Sequence, residues 1–225
     1  FAQSPDETRQ VLNGLLLEQD NGKVKMVGTD GHRLAVVKRD LGGSSKGEKG
    51  SYLIPKKTLA ELVKLVEDEE AIFSFSAKNN HFAFIQGDQV IVSRKIDGKF
   101  PNYLQVIPSD NKLQVQINRG MFQQALKRVS LLADEKSKMV RFDIKAGSIV
   151  LTSDTTELGE AREEVATSYS GEAVSVGLNA KYVLDVLNVM DDEEIILNLK
   201  DDKSSCLITS NGDKDYQSIV MPMRL

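Results

Sequence analysis

The side chains that most often carry nucleophilic, acid–base or zinc chemistry are scarce in this chain: two histidines, His32 and His81, and one cysteine, Cys206. Neither histidine has acidic or sulfur partners at metal-ligand spacing. No Gly-x-Ser-x-Gly elbow or dinucleotide fingerprint occurs. The glycine-rich residues 41–51 lack a phosphate-loop ending, because Gly47 is followed by Glu48, and they read as a mobile surface loop. Carboxylates gather at residues 67–70, 157–164 and 191–194, in runs that read as solvated turns or faces. Were the chain an enzyme, metal-assisted hydrolysis by the cluster from Asp154 to Glu164 is the chemistry to look for. No metal or cofactor is otherwise expected. A single cysteine excludes an internal disulfide and any multi-cysteine metal site; within Ser-Ser-Cys-Leu-Ile it is expected to be buried, which suits a reducing cytoplasm.

Two other segments are unusual for a plain scaffold. In Thr29-Asp-Gly-His-Arg-Leu34, Asp30-Gly31 supplies a chain reversal and Leu34 is placed to pack inward. The carboxyl end, Ile219-Val-Met-Pro-Met-Arg-Leu225, is apolar where chain ends are usually polar and frayed. Two thioethers flanking a proline suit an adaptable apolar surface, since methionine repacks at low cost while Pro222 stiffens the backbone; the same residues would serve in a core.

The elements that must position these segments come in two copies. Thr58-Leu-Ala-Glu-Leu-Val-Lys-Leu-Val-Glu-Asp-Glu-Glu-Ala-Ile-Phe-Ser-Phe75 is echoed 124 positions later by Tyr182-Val-Leu-Asp-Val-Leu-Asn-Val-Met-Asp-Asp-Glu-Glu-Ile-Ile-Leu-Asn-Leu199. Each reads as an amphipathic helix, an acidic turn and an apolar strand. Hairpins at residues 14–30 and 141–154 extend the repeat. The spacing predicts helices over 56–66, 119–132 and 180–190. It predicts strands near 32–38, 52–55, 71–76, 81–86 and 89–95 in the first copy. In the second, strands fall near 112–117, 139–145, 148–153, 173–178, 194–200, 204–209 and 216–221. The strand at 113–117 and most of the helix after it have no counterpart in the first copy, which reads as a domain lacking its amino end. Two α+β domains follow, 1–109 and 112–225, each with helices covering antiparallel sheet.

With 225 residues the chain can bury two cores, and 40% apolar with 28% charged residues is a globular composition. Its net charge of −4 gives no mean attraction for nucleic acid, so any such role needs a local basic face or a topological device.

The Thr29–Leu34 and Ile219–Leu225 segments, with Asp97-Gly-Lys-Phe-Pro-Asn-Tyr103 and Tyr182-Val-Leu-Asp-Val-Leu-Asn188, closely resemble the beta subunit of bacterial DNA polymerase III over essentially the whole chain. That resemblance implies tandem DNA-clamp domains forming part of a ring, here the middle and carboxyl-terminal ones. The implied function is a non-catalytic sliding clamp, the processivity factor of a polymerase, cytoplasmic and nucleoid-associated. It would encircle duplex DNA without reading sequence and tether polymerase, clamp loader and repair proteins through a Gln-led hydrophobic peptide in a groove between the two domains. By motif position that groove takes Leu12, Thr29, Gly31, His32, Arg33, Leu34, Pro101, Val106, Asn179, Tyr182, Val220, Met221, Pro222, Met223 and Arg224. The basic residues expected to face DNA are Lys57, Lys64, Arg119, Lys127, Arg128 and Lys181. Leu131, Leu132, Glu160 and Glu163 resemble a subunit interface; the full-length homodimer ring is not expected of these residues alone.

Overall fold

A computed structural model describes residues 1–41, 49–66, 72–155 and 159–225. The chain divides into two compact units, one of Phe1–Gly31 with Val36–Asn102, the other of His32–Ala35 with Tyr103–Leu225.

The first unit carries strands β1 (Gly14–Asp20), β2 (Lys23–Thr29), β3 (Arg33–Asp40) from Val36 onward, and β4 (Gly50–Pro55), in sheet order β4-β1-β2-β3. Helix α1 (Lys56–Leu65) follows, then a meander of β5 (Ser74–Lys78), β6 (His81–Gln86) and β7 (Gln89–Arg94). Its core gathers Leu17, Ile54, Phe82 and Phe84, with Tyr52 packed edge-on to Phe75 at 5.2 Å. The strand expected at 71–76 is displaced to Ser74–Lys78. There Phe75 and Ala77 alternate inward against Phe82 and Phe84, and that pairing sets the strand's limits. The acidic turn at 67–70 and most of the glycine-rich loop lie outside the described residues.

In the second unit, β8 (Leu113–Asn118), β13 (Glu194–Leu199), β14 (Cys206–Thr209) and β15 (Tyr216–Val220) form one sheet, ordered β15-β14-β13-β8. A second sheet has the order β11-β10-β9-β12, from β9 (Met139–Lys145), β10 (Ser148–Thr155), β11 (Gly159–Ala166) and β12 (Val174–Asn179). Helices α2 (Arg119–Val129) and α3 (Ala180–Leu187) pack on each other. Phe122, Ala125, Leu126 and Val129 recur at helical spacing and are buried, as are Val183, Val186 and Leu187. Burying each large side chain is worth roughly 1.5–3 kcal/mol. Asn118 caps α2 by accepting from Met121 N–H at 3.0 Å, while Lys127 and Arg128 complement the carboxyl end of its dipole.

The helix expected over 119–132 ends at Val129 and tightens into a 3-10 turn, Ser130–Leu132. The one expected over 180–190 ends at Leu187. The acidic run at 157–164, read as a solvated turn or face, is largely strand β11, an edge of its sheet. Ala161, Glu163 and Val165 alternate inward there, a two-residue period that the high charge obscured. Cys206 is fully buried, and burial pushes its thiol up to about 12, so it serves as a small apolar side chain. Among the described residues no helix is long and apolar enough to cross a membrane.

Candidate functional site

The residues singled out by sequence converge most clearly within the second unit, around the start of α3. Asn179 caps this helix, accepting from Tyr182 N–H at 3.2 Å, and its Nδ2 donates to the Ser137 carbonyl at 2.8 Å. The cap fixes the turn on which half-buried Tyr182 is displayed. Arg33, largely buried, holds its guanidinium 4.4 Å from the Tyr182 ring centroid and donates through Nη1 to Asp185 Oδ2. The same oxygen accepts from Lys181 Nζ at 2.8 Å, one turn back on the helix. Burial pulls the Asp185 carboxyl upward, but the hydrogen bonds and charges of Lys181 and Arg33 outweigh it and hold the group below its ordinary value. The ring, the planar cation and the carboxylate thus brace one another.

The chain end is seated beside this cluster. Ile219 and Val220 are buried at the end of β15, which packs against α3. Met221, 38% exposed, donates its N–H to the His32 carbonyl at 2.9 Å, next to Arg33. Met223 N–H reaches the Gly177 carbonyl at 2.8 Å, and Pro222 between them has no N–H to satisfy. The terminus is therefore a tied strand presenting thioethers, with Arg224 exposed after it. Leu34 and Val220 are sealed in the interior, at 3% and 0% exposure, and can only back such a surface. Val106 is exposed on a short 3-10 turn, Tyr103–Val106, anchored by buried Tyr103.

Leu12, Thr29, Gly31 and Pro101 belong to the first unit. Arg9, which sequence reasoning missed, donates to the Asp30 carbonyl at 2.8 Å and so braces the Asp30-Gly31 reversal. Gly31 has φ +92°, a conformation that favours glycine, and its N–H donates to Thr29 Oγ1 at 3.1 Å. Leu12 is half-buried and its N–H donates to the Arg9 carbonyl, whereas Pro101 is exposed.

The basic residues divide. Arg119 is engaged within the fold: its Nε and Nη1 donate to the carbonyls of Asp192 and Leu187, so it ties α2 to the end of α3. Arg128 makes a two-pronged bond to Glu163 at 2.6 Å, which raises the arginine's pKa and lowers the carboxylate's. These two residues, expected on separate surfaces, form one pair. Lys64 pairs with Glu61; Lys57 and Lys127 are exposed on α1 and α2. Leu131 is 76% exposed beside half-buried Leu132, and Glu160 is exposed on β11.

The hydrolase reading fails on this geometry. Glu163 turns to Arg128, while Glu164 alternates to the other strand face and takes Ser148 and Lys145 as partners. Glu163 and Glu164 thus point to opposite faces with their own partners, and among the described residues no group of three or more His, Cys, Asp or Glu side chains could hold a metal ion.

Two copies of one helix-and-sheet plan, with antiparallel sheets carrying the helices, thus make up the chain. The family models for the DNA polymerase III beta subunit match its central domain over residues 1–102 and its C-terminal domain over 104–224. The chain belongs to that family. It is 34% identical over 225 residues to the beta sliding clamp of Pseudomonas putida and 32% identical to that of Escherichia coli, covering 100% of itself and 61% of each relative. The crystal structure of a Pseudomonas aeruginosa sliding clamp bound to griselimycin superimposes with a TM-score of 0.95 at 33% identity, again over 100% of this chain and 61% of that one. The beta subunit of Thermotoga maritima gives 0.92 at 31% identity over the same shares. The chain thus spans 61% of the length of the curated relatives it matches.

Proposed function

We propose that the chain is part of a DNA sliding clamp, a non-catalytic component of a cytoplasmic, nucleoid-associated ring that encircles duplex DNA and tethers replication and repair proteins by short hydrophobic peptides. The observation that carries this reading is the tied Met221–Met223 strip beside the Arg33–Tyr182–Asp185 cluster: an apolar, adaptable surface next to an aromatic side chain held in one orientation. Such a surface suits a peptide led by glutamine and carrying leucine and phenylalanine anchors. Apolar burial supplies affinity, and backbone and arginine groups supply orientation. A segment of about five residues should bind on the order of micromolar, or about −8 kcal/mol, weak enough for partners to exchange.

Encirclement fits the acidic net charge of −4, since a closed ring resists dissociation without tight phosphate binding. Lys57, Lys127 and Lys181 are then the residues for sequence-independent phosphate contacts, with Lys181 sharing its charge with Asp185.

The test is fluorescence anisotropy with a labelled Gln-Leu-x-Leu-Phe peptide. We expect saturable micromolar binding that weakens about tenfold in Met223→Ala. A peptide that fails to bind, or one indifferent to Met223, would remove the basis for the assignment.

A further inference from the structure

Gly177 lies inside strand β12, with a backbone outside the left-handed region that calls for glycine. A strand-interior glycine of this kind is a cost relative to alanine unless another group approaches closely. One does. A Cβ at position 177 would lie 3.0 Å from the Met223 carbonyl oxygen, 3.1 Å from Leu225 Cδ2 and 3.3 Å from Met139 Sδ. The two side chains can yield, but the carbonyl moves only if the tail moves. Met223 also pairs with Gly177 as an isolated antiparallel bridge, its N–H bound to the Gly177 carbonyl at 2.8 Å. Two residues earlier the tail is bound again, Met221 N–H to His32 carbonyl at 2.9 Å, with rigid Pro222 between. So short a segment, pinned at both ends, has little slack, and a displacement at Met223 must reach Met221.

We propose that Gly177 is the positioning residue of the peptide surface: its missing side chain seats the Met221–Met223 strip and thereby sets how deeply a hydrophobic peptide can dock. This rests on the peptide-binding reading above. Nothing about Gly177 need touch the peptide, so its effect is transmitted wholly through the tail.

The experiment compares the 225-residue chain with Gly177→Ala and Gly177→Val. Substitution should move the thermal midpoint only slightly, because the better strand propensity of alanine and valine offsets the crowding against the tail. Peptide affinity should fall in order of side-chain size, by about tenfold for valine, as expected for overpacking one contact. Amide hydrogen exchange gives the direct readout: Met223 N–H should lose protection in the valine variant while amides inside β9 and β10 keep theirs. Unchanged Met223 protection together with unchanged affinity overturns the proposal. Should valine prevent folding, the alanine variant decides by the same two measurements. A wild-type chain that binds no peptide would sink the peptide reading and the docking half of this inference, while Met223 exchange would still decide the seating.

Discussion

Helices α1 and α3 hold the same place in the two copies, yet of the two only α3 carries the braced arginine, ring and carboxylate. In α3, Val183, Val186 and Leu187 are at most 1% exposed, whereas in α1 Thr58 alone is buried and Val63, the counterpart of Leu187, is 73% exposed. The difference lies in what each helix meets: α3 packs on α2 and β15, and α1 packs on strands β4 and β7. Their first turns differ as well. Asn179 caps α3 through its side chain, while Pro55 precedes α1 with no side-chain cap. The matched acids part in the same way, since Glu61 pairs with exposed Lys64 and Asp185 holds buried Arg33. Equal apolar patterns therefore specify equal helices, but burial, capping and a shielded ion pair decide which copy displays a fixed side chain.

The strongest test of that contrast is a pair of truncations. Leu187→Ala should cost about 2–5 kcal/mol in chemical denaturation, and Val63→Ala no more than about 0.5 kcal/mol. Comparable losses would erase the distinction. Next comes Asp185→Asn, expected to cost about 1–3 kcal/mol because buried Arg33 loses a charged acceptor, against no measurable change for Glu61→Gln. The same carboxylate makes a prediction in acid. Its folded pKa is depressed, so its contribution is complete above the unfolded value near 4 and is lost as pH falls through the folded pKa. Acid titration of wild type should therefore show a destabilising component below about pH 4 that Asp185→Asn lacks. The smallest effect is Asn179→Ala, about 1 kcal/mol for the cap, with a larger proportional loss of peptide affinity because Tyr182 sits on the turn it fixes.

Much of the fold was legible because hydrophobic period reports it directly. The hairpins at 14–30 and 141–154, the α1 and α3 repeat and the buried Cys206 all follow from alternation or helical spacing. Strand β11 did not, because glutamates on both faces of an edge strand hide its period. The site was less legible than the fold. Asp185 had a visible signal, its position four residues after Lys181, and Gly177 had another, a glycine inside an apolar strand. Neither tells which distant backbone or side chain will arrive. Arg119 and Arg9 carried no signal at all, since a guanidinium that serves carbonyls remote in sequence looks like any surface charge.

Methionine methyl NMR tests the central claim most directly, because the chain carries its own control. Met121 is 59% exposed on α2, more than Met221 at 38%, but lies outside the tied tail. Titration of methyl-labelled chain with the Gln-Leu-x-Leu-Phe peptide should shift the Met221 and Met223 signals together, saturating on the order of micromolar, and leave Met121 in place. Shifts confined to Met121, or none at the tail, would contradict a peptide site built on the carboxyl-terminal strip.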